Sequence, residues 1–311
     1  MRVVFLASGA FAIPSLEALV EAGHEVAALV TQPDRESGRG MSLASPKVKP
    51  VAERHAIPVL QIPRVRAPEA QEALRRLAPE LLLVVAFGQI LPRAVIDIAP
   101  RGTLNVHASL LPRLRGAAPI QWAIANGDSQ TGVTTMQIDE GLDTGPLLLS
   151  RVLAIGPDET AAELEPRLAR LGGELLIETL AGLERGSLAP RAQDPARATH
   201  APVLRKEDGR VDWSLPAHAI ACRTRGFHPW PGAFTQHEGR LLKLLRVFEA
   251  PLGLAAAEPG RVALVDAAGV AVACGGGTLL RLEEVKPESR RAMPASAWAQ
   301  GARLRAGARL G

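Results

Sequence analysis

Tyrosine is absent from the 311-residue chain, and phenylalanine and tryptophan together number ten. A protein that grips single-stranded nucleic acid by stacking needs aromatic platforms. A nucleic-acid partner of this chain would therefore be held by its phosphates and its shape. Cysteine is scarce too. Cys222 and Cys274, 52 residues apart, make neither a disulfide framework nor a metal motif, which points to a reducing, cytoplasmic setting. No apolar run approaches the roughly 20 residues that a membrane span needs. In the opening "MRVVFLASGAFA" the apolar part, Val3–Ala7, is short for a translocation signal and reads as a first buried strand. There is no Gly-x-Ser-x-Gly elbow, no Gly-Lys-Ser/Thr phosphate loop and no His-x-x-x-His pair. These absences argue against a serine hydrolase, a nucleotide triphosphatase and a zinc enzyme.

What is present is ordinary in bulk and uneven in charge. Hydrophobic residues make up 47% and charged residues 22%, the balance of a folded chain long enough for two cores. Up to His200 there are 20 basic and 22 acidic residues, a balance of −2, whereas residues 201–311 hold 16 and 10, a balance of +6. A basic last third suits a polyanionic partner, with nucleic acid first in line.

The first half alternates strand and helix patterns. Apolar runs at Val3–Ala7, Glu25–Gln32 and Leu81–Phe87 interleave with helical stretches at Pro14–Gly23 and Ala67–Glu80. "GTLNVHAS", "GVTTMQID" and Pro146–Ile155 read as further strands, and "APIQWAIANG" as a helix closed by Gly127. A long helix from about Glu159 is expected to break or bend near Gly172-Gly173. This order predicts a doubly wound α/β domain that binds ligands beyond the carboxyl ends of its strands. Residues 186–203 carry three prolines and little periodicity, and read as a linker. Short β-rich runs with glycine turns follow, as in a small antiparallel barrel, and then one short helix. Pro33–Pro50 is a long, basic loop at a strand end, and loops of that length are usually functional or disordered.

The stretch "TLNVHASLLPRLRG" (Thr103–Gly116) sets Asn105, His107 and Ser109 at every second position, so that a strand there would carry all three on one face. A nucleophile and its base rarely meet two residues apart on one strand, which disfavours a Ser109–His107 hydrolase. Transfer of a one-carbon acyl group to an amine suits the set better. That chemistry needs an amide to hold an oxyanion, an imidazole to carry charge and a carboxylate to manage protons. The carboxylates at hand lie in "MQIDEGLDTG": Asp139, Glu140 and Asp143, with Asp139 also placed to cap the turn.

At these residues the chain resembles the folate-dependent formyltransferases. The resemblance rests on Asn105-Val106-His107, "SLLPRLRGAAPIQWAI" (Ser109–Ile124), Gly127–Leu148 and "VVAFGQILP" (Val84–Pro92), and it extends through "RKEDGRVDWSLPA" and "CRTRGFHPWPGAF" (Arg205–Phe234). It implies a Rossmann-like formyltransferase domain over 1–188, a linker over 189–204, and an OB-like β-barrel over 205–311 that binds tRNA. It further implies that 10-formyltetrahydrofolate donates its formyl group, without a metal, to the α-amine of initiator methionyl-tRNA. Asn105, His107 and Asp143 would be catalytic. Folate would lie against Phe87, Gly88, Gln89, Ile90, Leu91, Ile138 and Glu140, with Ser109, Leu110, Leu111 and Pro112 as the adjoining wall. Arg39, with Arg35, Lys47 and Lys49, would grip the tRNA acceptor end. A cytoplasmic monomer is the default expectation. Members that formylate a small amine, such as an amino sugar nucleotide or glycinamide ribonucleotide, would use the same three groups but leave the basic C-terminal region idle. Two stretches depart from the family pattern: Ala7-Ser8-Gly9 stands where Gly-Thr-Pro is usual, and Met41-Ser42 where two lysines are usual.

Overall fold

The structure, a computed structural model, describes residues 1–37, 42–251 and 258–311. The chain forms two compact units: Met1–Pro119 with Gln130–Ala154 and Glu165–Pro202, and Ile120–Ser129 with Ile155–Leu164 and Val203–Gly311.

In chain order the strands up to residue 202 are β1 (Arg2–Ala7), β2 (Glu25–Thr31), β3 (Arg35–Ser37), β4 (Ser42–Ala44), β5 (Val59–Gln61), β6 (Leu81–Val85), β7 (Thr103–His107), β8 (Gln130–Gln137) and β9 (Leu147–Ala154). The helices are α1 (Ile13–Glu21), α2 (Lys49–Arg54), α3 (Pro68–Arg76), α4 (Arg93–Ile96), α5 (Pro119–Ala125) and α6 (Ala161–Glu184). Seven strands form one sheet in the order β5-β2-β1-β6-β7-β8-β9. The first five in that order run parallel, β8 alone is reversed, and β9, antiparallel to β8, runs with the first five. β6, all leucine and valine, is wholly buried between β1 and β7, as a strand covered on both faces must be. Val4 and Leu6 of β1 and Leu82 and Val84 of β6 share an apolar cluster with Ala70 and Leu74 of α3. Each fully buried leucine there contributes about 1.5–3 kcal/mol. Pro68 opens α3 and Arg75 and Arg76 close it, in keeping with the helix dipole.

Two expectations from the sequence need correction. α6 runs unbroken for 24 residues past its glycine pair. A Cβ on Gly173 would lie 2.8 Å from the Pro14 carbonyl oxygen, and one on Gly172 would lie 3.1 Å from a Val106 methyl. The glycines therefore seat α6 against α1 and β7. The Pro33–Pro50 stretch is also not all loop: β3 pairs with β4 in antiparallel register, Arg35 opposite Ala44, and α2 begins at Lys49.

In the second unit the strands are β10 (Phe234–His237), β11 (Arg240–Ala250), β12 (Val262–Asp266), β13 (Gly269–Ala273), β14 (Leu279–Pro287) and β15 (Met293–Pro294), with helices α7 (Ala217–Gly226) and α8 (Ala295–Gly301). The sheet is antiparallel, in the order β10-β11-β14-β13-β12, with β15 beside β14. Register shifts in β11 mark bulges, which curl a strand. Val270, Val272, Leu280, Leu282 and Trp298 form its core. α5 belongs to this unit and meets α7 closely: a Cβ on Gly226 would lie 2.6 Å from the Gln121 carbonyl oxygen, and Trp122 meets Phe227 edge to face with ring centroids 5.3 Å apart. Among the described residues, no helix is long and apolar enough to cross a membrane.

Candidate active site

The alternation of β7 decides which side chains face the site. Val106 turns toward α6, lying under Gly172, so Asn105 and His107 point to the opposite face. The loop after β8 supplies the carboxylate. β8 runs antiparallel to β7 with Gln137 opposite Leu104, so the chain must double back to bring Asp143 to that face. Asn105 Nδ2 donates to Asp143 Oδ1 at 3.4 Å, and His107 Nδ1 stands 3.7 Å from Asp143 Oδ2. The Gly116 N–H donates to the same Oδ2 at 2.8 Å. The side chains of His107 and Asp143 are only 7% and 15% exposed, so little water screens them. An amide, an imidazole and a carboxylate thus converge.

The tautomer of His107 follows from its other contact. Nε2 lies 3.0 Å from the Leu114 carbonyl oxygen, which can only accept, so Nε2 carries a hydrogen. Nδ1 is therefore the nitrogen that faces Asp143. Leu114 adopts φ +57°, an uncommon conformation for a leucine, and its N–H donates to Thr199 Oγ1 at 2.9 Å. Gly116 has φ +122°, and a Cβ there would lie 2.6 Å from the Ala201 carbonyl oxygen. Glycine is required at that point in the loop.

Between β8 and β9 the chain folds on itself. Asp139 Oδ1 accepts from the Gly141 N–H at 3.0 Å and from Thr144 Oγ1 at 2.6 Å, so Asp139 is the turn cap. Side chains on Gly141 and Gly145 would collide with Thr144 and with the Gln137 carbonyl. Asp143 sits at φ +54°, a region that aspartate tolerates better than most residues. Ser109 does not join the group. It lies past the end of β7, fully buried, and its hydroxyl donates to the Arg113 carbonyl at 2.6 Å.

The residues expected to hold folate divide by exposure. Phe87 and Leu91 are buried in the cluster with Leu82 and Val84, against which Ile138 packs, so the two loops rest on one core. Ile90 and Leu142, one in each loop, are exposed at 76% and 58%. Gly88 has φ +78°. The Gln89 side chain is already committed, accepting from Val65 N–H at 2.8 Å and donating to the Ile62 carbonyl at 3.1 Å. Only its backbone is open to a ligand. Leu111 is buried, Leu110 and Pro112 are half-buried, and Glu140 is exposed. Ser8 ties these loops to the sheet: its hydroxyl meets Thr31 Oγ1 at 3.2 Å and the Phe87 carbonyl at 3.4 Å.

Of the expected tRNA contacts, Arg39 lies outside the described residues. Arg35 and Lys47 are exposed, and the Arg35 guanidinium donates to Gln32 Oε1 at 2.9 Å. Lys49 is engaged: its ammonium lies 3.0 Å from Asp34 Oδ2 and 3.2 Å from Gln61 Oε1. Hydrogen bonds from Lys49 and Gln61 hold the Asp34 carboxyl below the usual carboxylate range.

Three contributors escaped the sequence reading: Gly116, Thr199 and Gln193. The last two lie in the proline-containing stretch before residue 203, where no periodicity marks them. Gln193 Nε2 donates to the carbonyls of Asp143 and Gly145, both at 2.8 Å.

Residues 1–180 match the formyl transferase family, and residues 203–303 match the formyl transferase C-terminal domain. A methionyl-tRNA formyltransferase of Anaeromyxobacter dehalogenans is 53% identical over 304 residues, covering 97% of each chain. One from Geobacter sulfurreducens is 48% identical over 311 residues, covering 100% of this chain and 97% of the other. HypX from Aquifex aeolicus, solved in complex with tetrahydrofolic acid, shares the fold with a TM-score of 0.62 at 20% identity. The match covers 96% of this chain and 47% of HypX, so this chain spans about half of that protein.

Proposed function

This chain belongs to the methionyl-tRNA formyltransferase family, and we propose that it carries the formyl group of 10-formyltetrahydrofolate to the α-amine of initiator methionyl-tRNA at Asn105, His107 and Asp143. The observation that carries this reading is the Asp143 carboxylate, which faces the Asn105 amide, the His107 imidazole and the Gly116 N–H together.

The amine nitrogen attacks the formyl carbon, and the carbonyl electron pair moves onto oxygen. Asn105 Nδ2–H and the Nδ1–H of protonated His107 stabilise that oxyanion. At 3.7 Å, Nδ1 closes no hydrogen bond with Asp143 and is left to meet the substrate. Asp143 takes up the proton lost by the amine through a water molecule. When the intermediate collapses, the bond from carbon to the folate nitrogen breaks, and that nitrogen receives the proton. The protein ends as it began.

The folate ring system lies against the backbone of Phe87–Leu91 and the loop carrying Ile138 and Glu140, with Ile90 and Leu142 covering apolar surface. Leu110–Pro112 form the neighbouring wall, through backbone and apolar groups, with Ser109 buried behind them. The acceptor end of the tRNA meets Arg35, Lys47 and Arg39, and Lys49 contributes after its partner Asp34 is counted. The basic region 205–311 is the tRNA-binding domain, joined through 189–204 to the catalytic domain over 1–188. The enzyme acts as a cytoplasmic monomer.

One assay tests the reading. The protein is incubated with the formyl donor and charged initiator tRNA, small amines or no acceptor. Formylation of the charged tRNA alone is expected. Transfer to a small amine instead, or release of formate without acceptor, overturns it.

A further inference from the structure

We propose that Gln193, in the segment between the two family-matched regions, is a positioning residue that sets Asp143 for the reaction. The proposal rests on Asp143 being catalytic, as argued above.

The side chain of Gln193 is fully used. Its Nε2 holds the main-chain carbonyls of Asp143 and Gly145, each at 2.8 Å. Its Oε1 accepts from Arg115 Nε at 3.1 Å and Nη2 at 2.8 Å. A guanidinium can only donate and a carbonyl can only accept, so the amide has one permitted orientation. Arg115 is 8% exposed and immediately precedes Gly116, whose N–H holds Asp143 Oδ2. One amide therefore grips the backbone of Asp143 on one side and, on the other, the residue next to the donor that orients its carboxylate.

The segment around Gln193 braces the same two loops through its backbone. Arg191 exchanges hydrogen bonds with Leu147 at 2.8 and 2.9 Å, just beyond the Asp143 loop. Thr199 accepts from Arg115 N–H at 2.8 Å, and Ala201 donates to the Arg115 carbonyl at 2.7 Å. Asp143 needs such support. Its φ of +54° is uncommon, and its carboxylate contacts come from two separate stretches of chain, β7 and the loop at Gly116. A small rotation of the loop moves the carboxylate off the line to Nδ1, and misplacements near 1 Å cost about 100-fold in rate.

The test is kinetic. Gln193→Ala removes both sets of bonds. Gln193→Glu keeps side-chain length and the acceptors for Arg115, but sets a carboxylate against two carbonyls. Both variants are expected to lose about 10- to 100-fold in kcat, with KM for folate and for charged tRNA within about twofold. In the Asp143→Ala background, adding Gln193→Ala is expected to change the residual single-turnover rate by less than about threefold, because Gln193 acts through Asp143. Should Gln193→Ala fold poorly, Gln193→Glu alone and combined with Asp143→Ala decides the matter. Wild-type kcat in Gln193→Glu, or losses that multiply on the Asp143→Ala background, overturn the proposal. Wild-type turnover by Asp143→Ala itself overturns instead the catalytic reading beneath it.

Discussion

His107 Nε2 donates to the main-chain carbonyl of Leu114 at 3.0 Å, and this contact turns Nδ1 toward Asp143. The imidazole thus has one fixed end and one working end. Asn105→Ala, His107→Ala and Asp143→Ala are each expected to reduce kcat by about 100- to 1000-fold, the usual cost of losing an oxyanion donor or a positioned proton acceptor. Stopped-time assays on folded, saturated enzyme measure this. Near-wild-type turnover by any of the three removes that residue from its role.

Ser109 gives the contrasting case. Its hydroxyl is turned to the Arg113 carbonyl at 2.6 Å and is fully buried. Ser109→Ala removes that hydrogen bond, so a stability loss of about 0.5–1.5 kcal/mol is expected from chemical denaturation. Turnover should stay within several-fold of wild type. A loss as deep as that of His107→Ala places the hydroxyl in the chemistry after all.

Lys47 and Lys49 are two residues apart and should behave differently toward tRNA. Lys47 is exposed, whereas Lys49 is held between Asp34 and Gln61. Each phosphate contact contributes about 0.7–0.9 to the slope of log affinity against log salt. Lys47→Ala should flatten the slope for charged tRNA by about one contact. Lys49→Ala should flatten it less, and Asp34→Asn should raise affinity by freeing the ammonium. Salt titrations of binding decide between the two lysines, and equal slopes for both would discard the distinction.

Gly173 is a helix-interior glycine at which alanine should destabilise. Alanine normally gains about 1 kcal/mol over glycine within a helix. Here the added methyl would approach the Pro14 carbonyl oxygen to 2.8 Å, backbone against backbone. Gly173→Ala is expected to lower the melting temperature, since α6 must move off α1. A rise would show that the helix yields without cost.

This glycine also shows what a sequence can and cannot disclose. Local propensity reads Gly172-Gly173 as a break, and only the neighbouring element reveals their use. The apolar run of β6 and the alternation of Asn105 with His107 are local signals, and both were legible. Asp143 lies 38 residues from Asn105, and nothing in its spacing singles it out from Asp139; family resemblance was needed to choose it. α7 went unseen because its buried face is Ala217, Ile220, Cys222, Thr224 and Gly226, with one large apolar side chain among them. Gln193 was invisible for a related reason: every partner of its amide is far away in the chain, and its surroundings are irregular.

The pairing of Arg191 with Leu147 and of Thr199 and Ala201 with Arg115 bears on how the molecule can be dissected. A fragment ending at Leu188 would retain every strand of the seven-stranded sheet together with Asn105, His107 and Asp143. It would nonetheless expose the Leu147 amide, strip the Arg115 guanidinium of its acceptor and free the turn behind Asp143. A fragment that keeps these braces around Asp143 extends to Ala201.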